Sequence, residues 1–188
     1  MANMFSQINK SITGNKEQQA FYLLMDEISN DSIRGVVEWI IDSNFSEEKP
    51  ELLNLMICSG GGSLSSGFAL IDVMRGSSIP VRTIGIGEIA SAGLMIFMAG
   101  MKSNRILTPN TSILSHQYSW GVSGKAHELL ISSKAFDLTS EMILRHYKKF
   151  TNLSEDKIKK FLLPPHDVWL SPEEALKYGV CDEIKDLS

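Results

Sequence analysis

The sequence predicts an α/β fold with at least partly parallel strands. Short apolar runs of strand length alternate along the chain with segments whose apolar residues recur at helical spacing. Such alternation is typical of domains in which helices cover a sheet. The chain has 188 residues, enough for one domain with a sizeable core. We therefore expect a flexible, polar N-terminal segment over residues 1–19 and a single domain over residues 20–188.

The individual elements follow from apolar spacing and from end signals. Asn30 or Asp31 suits the cap of the first helix. Residues 171–174, Ser-Pro-Glu-Glu, predict a helix start with Ser as cap and Glu three residues later, and Gly179 suits the end of that helix. Residues 125–149 form the longest predicted helix, about 37 Å at 1.5 Å per residue. Strands are expected at 21–25, 52–58, 80–86, 105–107, 113–116 and 180–184, and the other helices after 63, after the small-residue segment 85–93, and at 154–155.

Composition narrows the classes of partner. The net charge is -4 and no stripe of Lys and Arg is present, so we expect neither nucleic acid nor a membrane as a partner. No apolar stretch reaches the roughly 18 residues of a membrane span, and we read no export signal. Cys58 and Cys181 lack metal-ligand spacing, and no His-x-x-x-His pair occurs. We expect no metal, no cofactor, and free thiols in a reducing cytoplasm.

A glycine-rich loop, Ser-Gly-Gly-Gly-Ser at residues 59–63, separates a predicted buried strand from a helix. Backbone N–H groups in such a loop can converge on a phosphate or on a developing oxyanion. A Walker-type phosphate loop would end in Gly-Lys-Ser/Thr, which is absent here. Taken alone, the loop is most simply a tight turn, because glycine is the default residue for such turns.

Three further residues are candidates for catalysis, each with a simpler structural interpretation. Ser91 lies where a loop of small residues becomes an apolar helix, so it is either an accessible nucleophile or only a helix cap. It lacks the Gly-x-Ser-x-Gly pattern, because position 89 is Ile. His116 ends an apolar strand, where it is either catalytic or a core residue, and Asp167 is either catalytic or part of a Pro-rich turn. His127 and His146 are interpreted as solvated residues of the long helix.

Four motifs, in this order, resemble the ClpP peptidase family over about residues 21–184. Residues 58–62, Cys-Ser-Gly-Gly-Gly, are similar to the family's Asn-Ser-Pro-Gly-Gly. Residues 87–94, Gly-Glu-Ile-Ala-Ser-Ala-Gly-Leu, are similar to its Gly-x-Ala-Ala-Ser-Met-Gly-Ala. Residues 105–117 carry counterparts of its Arg-x-x-x-Pro-Asn-Ser and His-Gln. Residues 166–182 are similar to its Arg-Asp-x-Phe-Met/Leu-Ser-x-x-Glu-Ala and Tyr-Gly-x-x-Asp.

The resemblance implies a serine endopeptidase with a ClpP/crotonase-like fold of repeated β-β-α units. It implies a catalytic triad in which Ser91 is the nucleophile, His116 the general base, and Asp167 the residue that orients the histidine. The resemblance further implies an oxyanion hole at the N–H groups of Gly61 and Ala92. Substrate would pair as an added strand with residues Gly62, Ser63, Ser119, Trp120, Gly121 and Val122.

The same resemblance implies an assembly. The family forms two stacked heptameric rings with the active sites inside, and the long helix at 125–149 would be a protruding handle where the rings meet. A separate AAA+ ATPase would unfold polypeptides and feed them into the rings. The sequence departs from the family pattern at Gly60 and Tyr118, which each replace a Pro, and at His166, which replaces an Arg.

Three alternatives remain at this point. A non-catalytic ring subunit would lack part of the triad, whereas all three residue types are present. A phage head-maturation protease would use the same chemistry on a capsid substrate. A crotonase-like acyl-CoA enzyme would also use backbone N–H groups after a glycine-rich strand end, but would need no Ser, His and Asp at these positions.

Overall fold

Seven strands form one sheet in the computed structural model, which describes residues 19–119, 121 and 123–187. Six helices lie in the same described part of the chain. The strands are β1 (Gln19–Leu24), β2 (Leu52–Ser59), β3 (Val81–Ala90), β4 (Arg105–Leu107), β5 (Ser112–Ser115), β6 (Val168–Leu170) and β7 (Glu183–Ile184). The helices are α1 (Asn30–Phe45), α2 (Leu64–Gly76), α3 (Ser91–Met98), α4 (Ala126–Thr151), α5 (Glu155–Phe161) and α6 (Pro172–Lys177).

Most of the sheet is parallel, in the order β1-β2-β3-β4-β7. Strand β3 is long enough to pair with two neighbours in succession. Its residues 83–85 pair with β4, and its residues 88–90 pair with β5. Gly87 lies between these two segments with φ +63°, a backbone conformation that favours glycine. The change of partner carries β5 to the carboxyl end of β3, and β6 then pairs with β5 in antiparallel fashion.

The main core lies between the sheet and helices α1 to α3. Helix α3 is buried almost all round, because Ala92 to Met98 are all inaccessible. Helix α4 is different: among its described side chains, the buried ones lie in the last third, around Ile143 and Tyr147. Among the described residues, no helix is long and apolar enough to cross a membrane.

Most predicted elements are confirmed within one or two residues. The start at Ser171 has the expected reciprocal bonds, with the Glu174 N–H donating to Ser171 Oγ (3.3 Å) and the Ser171 N–H to Glu174 Oε2 (2.9 Å). Gly179 ends this helix with φ +72°. The cap of α1 is Ser29 rather than Asn30 or Asp31, because Ser29 and Ser32 bond each other's backbone N–H groups.

Three expectations about elements and one about burial were wrong. Strand β3 continues to Ala90, although its second half was expected to be a small-residue loop. Strand β6 was not predicted, and the final strand is only two residues long. His146 is buried, with 6% of its surface exposed, although it was expected to be solvated. The expected flexible segment falls almost wholly outside the described residues, except that Gln19 already belongs to β1.

Candidate active site

Ser91 occupies a sharp junction between a buried strand and a buried helix. It is the first residue of α3 and directly follows β3. Its φ is +52°, in the left-handed region that non-glycine residues rarely adopt. Strained backbone of this kind clusters at functional sites, and a strand-to-helix nucleophile elbow uses the same geometry. Ser91 is half-buried, and the helix cap is Ala90, so the interpretation of Ser91 as a simple cap was wrong.

The sheet register brings His116 and Asp167 to the same edge as Ser91. Ala90 pairs with Leu114 in parallel, so β3 and β5 end side by side, with Ser91 and His116 just beyond. The antiparallel ladder between β5 and β6 pairs residue 115 with residue 168. The ladder ends at this pair, so His116 directly follows β5 and Asp167 directly precedes β6, at adjoining ends of the two strands.

The three side chains are not joined by hydrogen bonds in this structure. His116 is half-buried and Asp167 is exposed. Within the described ranges, no hydrogen bond links the side chains of Ser91, His116 and Asp167. Catalytic hydrogen bonds are often long or poorly aligned without substrate, so the arrangement is compatible with a triad that closes on binding.

The end of β5 is held by a buried network just before His116. The Ser115 hydroxyl lies 2.8 Å from the Tyr147 hydroxyl of α4 and donates to the carbonyl of Leu162. One residue after His116, Gln117 Nε2 donates to the carbonyl of Leu163 at 2.9 Å. Burial raises the pKa of Tyr147 to about 12, so its hydroxyl stays protonated. The residues before and after His116 are therefore both held by hydrogen bonds, Ser115 to Tyr147 and Leu162 and Gln117 to Leu163.

The glycine loop lies directly against Ser91. A Cβ placed on Gly61 would stand 2.6 Å from the Cβ of Ser91 and 3.2 Å from the backbone nitrogen of Ala92. Gly61 also has φ +101°, so only glycine fits without strain. Gly93 is required for a related reason, since its Cβ would lie 2.9 Å from the carbonyl oxygen of Ser59. These close approaches explain why glycine stands at positions 61 and 93, which the turn interpretation alone did not.

The amide of Gly61 is already engaged. Its N–H donates to Ser59 Oγ at 3.2 Å, and Ser59 Oγ donates in turn to the carbonyl of Asp26 at 2.6 Å. Ala92 is the second residue of α3, where helix N–H groups have no partner within the helix. Of the two expected oxyanion donors, Ala92 stands at a site that favours negative charge. Gly61 reaches an oxyanion only by sharing its bond to Ser59 or exchanging it.

One edge of the glycine loop remains open for an added strand. The Ile28 N–H donates to the carbonyl of Gly61, and the Ser63 N–H donates to the carbonyl of Ile28, each at 2.7 Å. Because successive backbone groups of a strand point to opposite sides, the N–H and C=O of Gly62 point away from Ile28. The Ser63 side chain is engaged as the cap of α2, where it accepts from the Ser66 N–H.

A cavity of about 350 Å³ lies beside this open edge. It brings together Gly62 from the glycine loop and Ser119 from the segment after His116. Both residues were expected to contact substrate. Gly121 is exposed, and Trp120 and Val122 lie outside the described residues. Among the described residues, no group of His, Cys, Asp and Glu is placed to hold a metal ion.

Fold and site together define an α/β protein in which Ser91 and His116 follow strands that end side by side in a mostly parallel sheet. The sequence model of the Clp protease family matches residues 7–187. The chain is 36% identical over 159 residues to ATP-dependent Clp protease proteolytic subunit 2 of Thermobifida fusca, covering 85% of this chain and 75% of that protein. It is 34% identical over 147 residues to the corresponding proteolytic subunit of Deinococcus radiodurans, covering 78% and 70%.

A solved structure supports the same grouping. A point mutant of ClpP1 from Listeria monocytogenes superposes with a TM-score of 0.78 at 29% sequence identity, covering 88% of this chain and 91% of that chain. The fold is therefore the ClpP fold expected from the sequence motifs. The chain belongs to the Clp protease family.

Proposed function

We propose that the chain is the serine endopeptidase subunit of a ring-forming Clp-type protease. Its reaction is the hydrolysis of peptide bonds in unfolded polypeptides. The observation that carries this proposal is the position of Ser91 on a strained strand-to-helix junction, next to the strand end that precedes His116. The register of β5 and β6 supports Asp167 as the third member. The relatives named above as proteolytic subunits support a peptidase activity.

Each residue of the triad has one task in the proposed reaction. Ser91 Oγ attacks the peptide carbonyl while His116 accepts the hydroxyl proton. His116 returns this proton to the leaving amine, which breaks the C–N bond and leaves an acyl group on Ser91. Water, deprotonated by His116, then releases the acyl group as a carboxylate. Asp167 orients His116 and stabilises its protonated form.

Charge that develops on the carbonyl oxygen is stabilised by backbone N–H groups. The amide of Ala92 stands at the N-terminus of α3, where it is the first donor of the proposed oxyanion hole. Gly61 is the second donor, once its N–H turns from Ser59 Oγ toward the oxyanion. The replacement of the family's Pro by Gly60 makes that small rotation easier, because glycine does not restrict the backbone.

Substrate is proposed to bind as an added strand at the open edge of Gly62. Ser119 lines the cavity beside this edge. Ser63, Trp120, Gly121 and Val122 are proposed as the remaining substrate contacts. Main-chain hydrogen bonds of this kind bind many sequences, because they do not depend on side chains. That property suits an enzyme acting on unfolded polypeptides.

The proposed assembly consists of two stacked heptameric rings in the cytoplasm, fed by an AAA+ ATPase. The exposed large apolar side chains of helix α4 support the proposal of ring pairing, because a partner subunit would cover them. Ile131 is 70% exposed and Leu138 is 53% exposed. Both cysteines are free, which suits a reducing compartment. The names of both relatives include ATP dependence, which supports a partner ATPase.

Peptide hydrolysis by the assembled protein tests the proposal. The largest species from size exclusion is assayed with a short fluorogenic peptide, for wild type, Ser91→Ala and Ser112→Ala. Ser112 is an exposed serine on β5 and serves as the matched control. We expect Ser91→Ala to lose at least about 1,000-fold in kcat while assembling normally, and Ser112→Ala to remain active. Equal activity of wild type and Ser91→Ala would exclude Ser91 as the nucleophile.

A non-catalytic ring subunit is the second candidate. Two observations favour it, namely the missing hydrogen bonds between the triad side chains and the engagement of the Gly61 N–H by Ser59. It predicts an assembled wild-type protein with no more hydrolysis than Ser91→Ala. The same experiment therefore separates the two candidates.

A further inference from the structure

A buried pair of hydroxyl groups lies next to His116 along the chain. Ser115, the last residue of β5, is fully buried, and Tyr147 of α4 is 2% exposed. Their hydroxyl oxygens are 2.8 Å apart. A buried hydroxyl group without a partner is costly, whereas two apolar side chains of the same shape would fill this space at little cost. Packing alone therefore does not require these two hydroxyl groups.

The direction of the hydrogen bond between the two hydroxyl groups follows from the protons they carry. The Ser115 hydroxyl has one proton and donates it to the carbonyl of Leu162. The Tyr147 hydroxyl is therefore the donor to Ser115 Oγ. Because burial raises the pKa of Tyr147 to about 12, the tyrosine keeps this proton near neutral pH. Tyr147 thus orients the Ser115 hydroxyl toward Leu162.

Ser115 connects the two chain segments that carry His116 and Asp167. Its side chain bonds Leu162, just after α5, and its backbone pairs with Val168 in the ladder of β5 and β6. Ser115 directly precedes His116, and Val168 directly follows Asp167. Two consecutive prolines lie between Leu162 and Asp167, and their rings restrict the backbone of the connecting segment. A shift of Ser115 would therefore change the position of His116 relative to Asp167.

We propose that Tyr147 is a positioning residue of the peptidase, which acts through Ser115 on the placement of His116 relative to Asp167. The Tyr147 hydroxyl orients the Ser115 hydroxyl, and the Ser115 hydroxyl holds the end of β5 to the segment that leads to Asp167. Because Tyr147 is buried, its effect on the reaction passes through Ser115. This inference rests on the proposed function and adds a residue outside the triad on which the rate of that reaction depends.

The test removes the Tyr147 hydroxyl in two backgrounds. Tyr147→Phe is made in the wild-type chain and in Asp167→Asn, and kcat and KM are measured with a short fluorogenic peptide. The matched control is Thr83→Val, which removes a buried hydroxyl elsewhere in the sheet that donates to the carbonyl of Phe97 at 2.8 Å. Size exclusion shows whether each variant assembles, and urea unfolding shows how much stability it loses. The rate at which a fluorophosphonate labels Ser91 is measured as well, since labelling can be followed when turnover is slow.

We expect Tyr147→Phe to lower kcat about three- to ten-fold in the wild-type chain, the size of one hydrogen bond, with KM unchanged because the substrate contacts are untouched. In Asp167→Asn the same substitution should lower kcat less than about two-fold, because the alignment that it supports is already without effect. Thr83→Val should keep kcat within about two-fold of wild type, although it too loses a buried hydrogen bond. Ser115→Ala removes the Tyr147 bond from its other side and should depend on Asp167 in the same way.

A purely structural role of Tyr147 predicts a different pattern. Tyr147→Phe would then lower kcat by the same factor in both backgrounds, or by no more than Thr83→Val does, and either result overturns the inference. If wild type and Ser91→Ala hydrolyse the peptide equally, the proposed function fails, and the positioning role falls with it. If hydrolysis depends on Ser91 but Tyr147→Phe behaves like the control, the proposed function stands and only the positioning role fails.

Discussion

Acid is expected to destabilise the folded protein through His146. This residue lies on α4 among Phe68, Tyr147 and Phe150, with ring centroids 6.2, 6.4 and 4.6 Å away. Its Nε2 is buried and has no hydrogen-bond partner among the described residues. Burial is the main cause that lowers its pKa to about 4, and the charges of Lys149 and Arg75 lower it further, against a hydrogen bond to the Met95 carbonyl.

The sign and size of the effect follow from linkage. In the unfolded chain His146 titrates near 6.5, whereas in the folded protein its pKa is about 4. As pH falls, the unfolded chain binds a proton at His146 before the folded protein does. The contribution of neutral His146 to stability is therefore complete above pH 6.5 and is lost as pH falls from 6.5 to 4. At about 1.36 kcal/mol for each pH unit, the loss amounts to about 3 kcal/mol.

The assay is urea unfolding at pH 7.0 and pH 4.5, in a Ser91→Ala background that prevents self-digestion. Other groups titrate as well, so the change in unfolding free energy between the two pH values is compared with the same change in His146→Phe. This variant keeps a ring in the same place without a titrating nitrogen. We expect the pH-dependent loss of unfolding free energy to be about 2 to 3 kcal/mol smaller in His146→Phe.

The control is His127→Gln, since His127 is exposed on the same helix. It should retain the wild-type pH dependence. If His146→Phe lost as much stability on acidification as wild type does, the assignment of a buried, neutral His146 would be refuted.

Two further predictions concern the loop and a buried ion pair. Gly61→Ala is expected to lower kcat at least about 100-fold, because the new methyl displaces the nucleophile, whereas Gly76→Ala, with no atom within 4 Å of its Cβ, should be harmless in the same peptide assay. Asp182→Ala is expected to lower the free energy of unfolding by about 3 to 5 kcal/mol, because it leaves the buried guanidinium of Arg105 without the carboxylate that accepts from its Nε at 2.8 Å. Urea unfolding measures the second effect, and a loss below about 1 kcal/mol would contradict it.

The parts of the fold that local sequence determines were predicted well. Strand β4 and helix α6 have their expected positions, because an apolar run or a capping sequence specifies each one within a few residues. The family motifs identified the ClpP fold, since they occur in order along nearly the whole chain. The short apolar helix expected after the small-residue segment is α3, and its nearly continuous apolar sequence is buried.

Other features depend on contacts between distant segments, and local pattern could not reveal them. Strand β6 is three residues long, and it is a strand only because β5 provides its partner. His146 lies in a polar stretch of α4, and its burial depends on Phe68 of α2 packing against it. The requirement for glycine at position 61 follows from its close approach to Ser91, which lies much later in the chain.

The candidate site likewise has features that the sequence predicted and features that depend on contacts between distant segments. Residue types and family resemblance singled out Ser91, His116 and Asp167, but spacing alone could not show that they meet. Sheet register adds that Ser91 and His116 follow strands that end side by side, and that Asp167 directly precedes the strand paired with β5. The bond from Gly61 to Ser59 had no signal in the sequence, because many backbone conformations are open to a run of glycines.

The most direct test of the central claim is the site of covalent modification by a fluorophosphonate, which reacts with serines that a neighbouring base activates. The assembled wild-type protein and His116→Ala are treated alike, digested and analysed by mass spectrometry. We predict one adduct on Ser91 in wild type and at least about 100-fold slower labelling in His116→Ala. Labelling at another serine, or labelling of Ser91 at the same rate in both proteins, would contradict the claim that Ser91 is a nucleophile activated by His116.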